Sequence, residues 1–385
     1  MRAAHWSVIW QAAGSAATLA AALWVSWRFG LAAQGEFGLA KSWFDVAAVT
    51  AVVGLPQALL HLQYRRGVAA AALLRWLARW VAGLAGLALV AAPLLARQGH
   101  TLAALVIASL PFAAAHLLAR SLLMPTRGVV VFGIVTALPA LLLLAGVLAM
   151  GAAGQGTHFD RLLLAVAVLA GIVSATMAWR SAGRPTRDDW SRRELWSVSL
   201  QSAVQAALAA ALAAALLSTV AALGGDKADV GAASLGWHVY QVFAAAAGYA
   251  APLIFDRLAR HDSPALPRWP MPVRAAAVAL LALAALALVL AQLVPRWSAW
   301  LVPLAVMLPA GLAGVAARVA GTVLLARAAY LELSVQAAAR LAIAVAVTAL
   351  ALRALPAASA LALALLAIEL ATWWRCAWLA RRSAR

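Results

Sequence analysis

The fold is decided by the stretch Arg28–Arg66, which reads RFGLAAQGEFGLAKSWFDVAAVTAVVGLPQALLHLQYRR. Glycines at positions 30, 35 and 38 follow one long apolar run and precede a second run, which contains Gly54-Leu55-Pro56 and ends at a basic pair. An apolar run of about 20 residues can cross a bilayer core about 30 Å thick. The stretch therefore predicts two membrane spans joined by a short outer loop over residues 30–41.

The composition extends this interpretation to the whole chain. Of the 385 residues, 66% are hydrophobic and only 11% are charged, whereas average soluble domains are about 45–50% apolar and about 25% charged. A soluble core could not hide so much apolar surface, so the chain is predicted to be an all-α integral membrane protein with about twelve transmembrane helices. The predicted spans are residues 6–27, 42–62, 72–95, 101–123, 128–150, 161–180, 195–222, 232–255, 273–294, 299–325, 333–352 and 356–379.

The formal charge of +18 comes mainly from arginines that lie between the apolar runs. These residues favour one side of the predicted topology by about three to one, which is the bias typical of cytoplasmic loops. The bias predicts a multi-pass protein with both termini in the cytoplasm. No nucleic-acid-binding motif accompanies the charge, so nucleic acid is not expected as a partner.

No constellation of residues predicts an enzyme, a cofactor or a metal site. The single cysteine, Cys376, excludes an intrachain disulfide and any multi-cysteine metal site. The seven histidines lack the spacing of a zinc-binding helix, and there is no phosphate-binding glycine loop of the ATPase type. The outer connections are also too short for a typical membrane-bound glycosyltransferase.

An internal repeat predicts two lobes. Trp6-Ser7-Val8 recurs as Trp196-Ser197-Val198, 190 residues later, and Gly38 finds a counterpart in Gly231, 193 residues later. Six spans per copy would insert both copies with the same orientation, a plan that secondary transporters use with the substrate site between the halves. We therefore predict a six-helix lobe over residues 1–183, a cytoplasmic linker over 184–194 and a second six-helix lobe over 195–385, arranged around a central cavity.

Two segments resemble a known family. Arg28, Gly30, Gly35, Phe37 and Gly38, followed by Gly54-Leu55-Pro56 and Ala58, resemble the opening of polysaccharide-biosynthesis flippases of the multidrug/oligosaccharidyl-lipid/polysaccharide (MOP) exporter superfamily. The stretch GTVLLARAAYLELSVQAAARL, residues 321–341, is similar to that family's short basic turn. One departure is that many relatives carry charges in the seventh span, whereas residues 195–222 carry none.

The resemblance implies a function and a location. It implies a plan of twelve or fourteen spans with a cationic cavity between two lobes, in a bacterial inner membrane. The implied activity is movement of an undecaprenyl-diphosphate-linked oligosaccharide from the cytoplasmic to the periplasmic leaflet. The implied partners are this lipid-linked substrate, membrane lipids, and the polysaccharide polymerase and ligase machinery.

Four arginines inside predicted spans are the candidate substrate-binding residues: Arg75, Arg79, Arg318 and Arg340. Arg75 and Arg79 are one turn apart and share a helix face. A charge at mid-membrane costs on the order of 2.5–3.5 kcal/mol, so it usually faces a cavity or a partner. A guanidinium also matches the oxygens of a phosphate. The alternative is that the long side chains reach the lipid headgroups.

Two carboxylates inside spans, Asp45 and Glu369, are the candidate residues for binding the coupling proton or Na⁺. The alternative for each is that it neutralises a nearby arginine. His116 and His238 are most simply explained by a hydrogen bond to a neighbouring residue.

Two other functions remain open at this stage. A multidrug cation antiporter of the same superfamily would favour an acidic interior. A membrane subunit of a polysaccharide assembly complex would need no transport activity at all.

Overall fold

The computed structural model describes residues 2–154, 158–182, 190–224, 226–260, 271–294, 298–326 and 330–382, and these residues form twelve helices. The helices are α1 (Arg2–Phe29), α2 (Leu31–Ala51), α3 (Leu55–Arg66), α4 (Ala70–Arg97), α5 (Thr101–Ala152), α6 (Phe159–Ser181), α7 (Arg192–Leu223), α8 (Lys227–Arg260), α9 (Met271–Leu293), α10 (Ser298–Ala326), α11 (Tyr330–Ala351) and α12 (Ala357–Arg382).

The prediction of an all-α membrane fold is confirmed. Within the described residues, eight helices are long and apolar enough to cross a bilayer, and α2 with α3 forms a ninth, bent candidate. Large hydrophobic side chains such as Leu89, Val278 and Leu293 remain exposed, as expected for helix faces that contact lipid rather than water.

Helix α5 contains two of the predicted spans. Its 52 residues would be about 78 Å long as one straight helix, far more than a bilayer core requires. The helix is interrupted at Gly128, where φ is 80° and ψ is 173°, a backbone conformation that glycine adopts at little cost. Ala119, Leu123 and Val135 pack in one cluster, so the chain turns back at Gly128 and the predicted separation of residues 101–123 from 128–150 is correct.

The predicted loop over residues 30–41 is wrong. Helix α2 begins at Leu31, and Gly30, with φ of 89°, is the only residue that separates it from α1. Alanine, leucine, glutamine and glutamate favour helix at these positions. Gly35 and Gly38 therefore lie within a helix, where they allow close packing rather than a turn.

The bend between α2 and α3 is 47°. It passes through Val53, a β-branched residue with φ of 44°, and Gly54, with φ of 70°. A bend of this kind leaves backbone carbonyls without helical partners, and in a membrane these need donors from side chains. Trp80 Nε1 donates to the Ala51 carbonyl at 3.0 Å, and the hydroxyl of Ser199 donates to the Val53 carbonyl. Ser202 Oγ also donates, at 3.2 Å, to the Gly54 carbonyl, which already accepts from backbone N–H groups of α3.

The chain divides into two compact units. The first comprises Met1–Trp24 with Ala40–Ala214, and the second comprises Val25–Leu39 with Ala215–Arg385. Helices α1, α2 and α7 therefore each contribute to both units. The predicted lobes over 1–183 and 195–385 follow the sequence repeat instead and stay a prediction, and most of the 184–194 linker lies outside the described residues.

The first unit has a core built from α3, α4, α5 and α7. Leu55, Leu59, Leu73, Leu118 and Leu195 are buried together there. Four tryptophans extend this core: the rings of Trp76 and Trp80 stack at 6.3 Å, and edge contacts join them to Trp190 and Trp196.

Candidate functional site

A cluster of four polar side chains, contributed by α8, α10, α11 and α12, lies inside the second unit. Glu369 of α12 is fully buried, and its Oε1 accepts hydrogen bonds from the guanidinium of Arg340 and from the hydroxyl of Tyr240. The Arg340 side chain is 19% exposed. Arg340 is the eleventh of the 22 residues of α11, so its guanidinium pairs inside the unit instead of lying at a helix end.

Arg318 of α10 completes the cluster. Its Nη2 lies 3.3 Å from the Tyr240 hydroxyl, and its Cζ lies 5.7 Å from the centroid of the Tyr240 ring. Tyr240 therefore bridges Arg318 and Glu369. The cluster contains two guanidinium groups and one carboxyl group, so its formal charge is one positive charge in excess.

Two polar atoms of the cluster lack a hydrogen-bond partner. Arg318 Nη1 and Glu369 Oε2 are both buried without one. Each such group is costly in an apolar interior unless a ligand, water or ion satisfies it. The cluster therefore has the capacity to bind one more polar group.

The sequence leaves room for this cluster at Gly314, one turn before Arg318 on α10. A Cβ at Gly314 would lie 3.2 Å from Arg318 Nη1 and 3.4 Å from both Glu369 Cδ and Tyr240 Cε2. Glycine at this position allows the side chains of α8, α10 and α12 to meet.

The other two candidate arginines lie elsewhere. Arg75 and Arg79 are exposed on one face of α4 in the first unit, as their spacing predicts. The tryptophans next to each of them, Trp76 and Trp80, face the core instead. Arg318, Arg340 and Glu369 thus meet, whereas Arg75 and Arg79 belong to the other unit.

Asp45 forms an ion pair with Lys41, one turn earlier on α2, rather than with an arginine. The pair lines a cavity of about 290 Å³ in the first unit, together with His116 and Arg120 of α5. His116 Nδ1 lies 2.8 Å from Ser174 Oγ, and His238 Nδ1 lies 2.7 Å from the Ser234 carbonyl. The partner of His238 is thus a neighbour on its own helix, whereas the partner of His116 lies on α6.

Sequence reasoning missed three features of these sites. Tyr240 was not singled out, because a lone tyrosine in an apolar helix gives no signal of a buried bridge. Arg120 lies one turn after His116 inside the span 101–123, a spacing that places both on one helix face, but it is not among the four candidate arginines. Ser199 and Ser202 were passed over, since serine is common in membrane helices.

Metal binding has no support within the described ranges: no group of three or more His, Cys, Asp and Glu side chains there could hold an ion. Cys376 is buried against Leu324 and Leu333.

The fold is one that membrane transporters adopt. Solved structures that share it include multidrug resistance MATE family transporters of the MOP superfamily. No family model matches the sequence, and no curated protein matches it either.

Three of these structures illustrate the likeness. A MATE in complex with MaD3S has a TM-score of 0.64 and 14% identity, with 100% of this chain and 95% of that chain covered. A MOP superfamily transporter from Pyrococcus furiosus, described as having a binding pocket of reverse polarity that suggests a different function, has a TM-score of 0.63 and 13% identity, with 99% and 95% covered. A mutant of the Vibrio cholerae MATE transporter VcmN has a TM-score of 0.54 and 15% identity, with 100% and 96% covered. At these identities the likeness establishes the fold alone.

Proposed function

We propose that the protein is a flippase that moves an undecaprenyl-diphosphate-linked oligosaccharide from the cytoplasmic to the periplasmic leaflet of a bacterial inner membrane, for surface polysaccharide biosynthesis. The observation that carries the proposal is the charge of the polar cluster. Among the residues whose side chains the structure describes, Glu369 is the only buried carboxylate, and Arg340 already pairs with it.

Arg318 is then the group that meets the substrate. Its Nη1 has no hydrogen-bond partner, and a guanidinium offers a planar set of donors that suits phosphate oxygens. A diphosphate would satisfy this donor and balance the excess charge. An organic cation would instead leave two guanidiniums facing a third positive group, which costs free energy in an interior of low dielectric constant.

Glu369 is proposed as the coupling residue. A proton on Glu369 would weaken its ion pair with Arg340 and release that guanidinium toward the substrate. Binding of the diphosphate and of the proton would then be linked through one side chain. Asp45, Arg75 and Arg79 stay candidates for ion coupling and for substrate contact on the first unit.

A translocation assay in proteoliposomes tests this function. The protein is reconstituted with a fluorescent undecaprenyl-diphosphate-linked oligosaccharide, and loss of signal to an external quencher reports the leaflet. We expect translocation by the native protein and at least ten-fold slower translocation by Arg318→Met. Arg97→Met, which removes an exposed arginine from the last turn of α4, is the control and should translocate normally. Absence of translocation by the native protein, or equal rates in native protein and Arg318→Met, would overturn the proposal.

The second candidate function is a multidrug cation antiporter, which the neighbours described as multidrug resistance MATE transporters favour. Proton-driven uptake of ethidium into the same proteoliposomes separates the two functions. A non-transporting subunit of a polysaccharide assembly complex would move neither the lipid nor the dye.

The location is part of the proposal. Both termini are proposed to lie in the cytoplasm, with the polysaccharide polymerase and ligase acting on the product outside. Alkaline phosphatase fused after Arg385 should be inactive, and green fluorescent protein fused there should be fluorescent. The opposite result would reverse the topology.

A further inference from the structure

The cavity of the first unit contains a cation without a counter-ion. This cavity of about 290 Å³ is lined by residues of α1, α2, α5 and α6. Its volume approaches the lower end of the range of about 300–1,000 Å³ that is usual for small-molecule sites. It is separate from the Arg318 cluster, which belongs to the second unit.

Arg120 is the unpaired cation. It lies within α5, eight residues before the break at Gly128, and its Nε is buried without a hydrogen-bond partner. Its Cζ lies 5.5 Å from the centroid of the Phe132 ring, across the turn of the same helix. No carboxylate among the described residues lies within ion-pair distance of it.

The other polar residues of the cavity do not neutralise Arg120. Asp45, the one carboxylate in the lining, is already paired with Lys41. His116 is held by Ser174. The lining thus carries one uncompensated positive charge, which is costly in an apolar interior unless a counter-ion balances it.

The rest of the lining is mostly apolar and includes Ala140 and Leu143. The hydroxyls of Thr18, Ser109 and Thr136 also line the cavity, and each already donates to a backbone carbonyl of its own helix. The Asp45 side chain remains 54% exposed, so the cavity is open at that edge. A ligand with one charged end and an apolar body would therefore suit the space.

We propose that this cavity binds an oxyanion carried on an apolar body, with the carboxylate or phosphate group held by the guanidinium of Arg120. The planar guanidinium can donate to two oxygens of such a group at once. The ligand comes either from the bilayer, as an anionic lipid headgroup, or from solution, as an amphiphilic acid. This site does not depend on the proposed flippase activity, because its occupancy is measured by binding and not by transport.

Binding is tested with the full chain in phosphatidylcholine nanodiscs. Hexyl phosphate is titrated while the thermal unfolding midpoint is measured, and 1-hexanol serves as the uncharged probe of the same length. We expect saturable stabilisation by hexyl phosphate and none by 1-hexanol, since a ligand that binds only the folded state raises the midpoint.

Three variants assign the binding to the cavity. Arg120→Met should weaken hexyl phosphate binding at least ten-fold. Arg127→Met is the matched control, because Arg127 is an exposed arginine of the same helix that pairs with Ser181, and it should bind as the native protein does. Ala140→Leu fills the cavity without changing charge and should also weaken binding, which keeps the test decisive if Arg120→Met does not fold.

A competition experiment with an anionic lipid distinguishes the two sources of the ligand. Nanodiscs with part of the phosphatidylcholine replaced by phosphatidic acid should show reduced hexyl phosphate binding if the site takes a lipid headgroup, and unchanged binding if it takes a soluble acid. Either result agrees with the proposal. Equal binding by native protein, Arg120→Met and Ala140→Leu, or no binding of hexyl phosphate by the native protein, would overturn it.

Discussion

Gly35 of α2 and Gly231 of α8 face each other, and the distance from an added Cβ on either glycine to the backbone nitrogen of the other is nearly the same. A Cβ on Gly35 would lie 3.0 Å from the backbone nitrogen of Gly231, and a Cβ on Gly231 would lie 3.2 Å from that of Gly35. Each would also collide with the carbonyl at the first turn of the other helix, at Lys227 and Leu31. The two helices therefore cross through a pair of glycines, related as two copies of one repeat would be.

The contact at the crossing differs from the pairing given by the sequence repeat. The repeat pairs Gly231 with Gly38, whereas the residue of α2 that Gly231 contacts is Gly35, and each of these two glycines is the fifth residue of its helix. Gly38 packs against Ser234 instead, and Gln34 Nε2 donates to Ser234 Oγ at 3.1 Å. Close approach of backbones through small residues is a usual device in membrane helix packing.

Substitution of Gly231 by alanine should destabilise the protein by about 1–3 kcal/mol, because the added methyl forces the helices apart. The measurement is the thermal unfolding midpoint in detergent. Gly86→Ala is the matched control, since a Cβ there meets no atom within 4 Å, and it should leave the midpoint unchanged or raise it slightly. A midpoint for Gly231→Ala equal to that of Gly86→Ala would contradict the tight crossing.

Much of the fold follows from the sequence, because lipid imposes a simple rule on helices. A run of about 20 apolar residues must form a span, and the predicted spans match helices of the structure. The sequence does not reveal which glycines turn the chain and which allow close packing within a helix. Gly30 and Gly128 turn the chain, whereas Gly35 packs inside a helix. The residue type is the same at all three positions, so the sequence alone does not distinguish these roles.

The candidate site was partly predictable for the same reason. Charges inside spans are rare enough that Arg318, Arg340 and Glu369 stood out from sequence alone, and the structure brings them together. Tyr240 did not stand out, because its role depends on the hydroxyl meeting residues of two other helices. Tertiary packing decides which helices contact each other, and a local sequence pattern does not predict this packing.

The ion pair between Arg340 and Glu369 should show strong coupling. Removal of one partner leaves a buried charge, so Arg340→Met or Glu369→Leu alone should each destabilise the protein by about 3–5 kcal/mol. The double variant should be less destabilised than the sum of the two, since neither charge then remains unpaired. Thermal unfolding of all four proteins gives the coupling free energy, and additive effects would show that the pair is not formed in the bilayer.

The exposed arginines of α4 should behave differently. Arg75→Ala and Arg79→Ala remove side chains that lie outside the core, so each should change stability by no more than about 0.5 kcal/mol. Trp76→Ala, next to Arg75 on the sequence but packed against Trp80, Trp190 and Trp196, should cost about 3–5 kcal/mol. A large loss of stability in either arginine variant would mean that α4 is rotated from the orientation described.

The bend between α2 and α3 should depend on the hydroxyls that bind its carbonyls. Ser199→Ala should destabilise the protein by about 1–3 kcal/mol, because the Val53 carbonyl would be left without a donor in an apolar interior. Ser202→Ala should have a smaller effect, because the Gly54 carbonyl also accepts from backbone N–H groups of α3. Ser218→Ala, further along the same helix, removes a hydroxyl that does not contact the bend and is the control.

Urea unfolding followed by tryptophan fluorescence measures the stability of the three serine variants. Equal midpoints for Ser199→Ala and Ser218→Ala would show that the bend does not need the hydrogen bond from Ser199. A double variant that adds Val53→Gly to Ser199→Ala should recover part of the loss, since glycine adopts a positive φ at little cost.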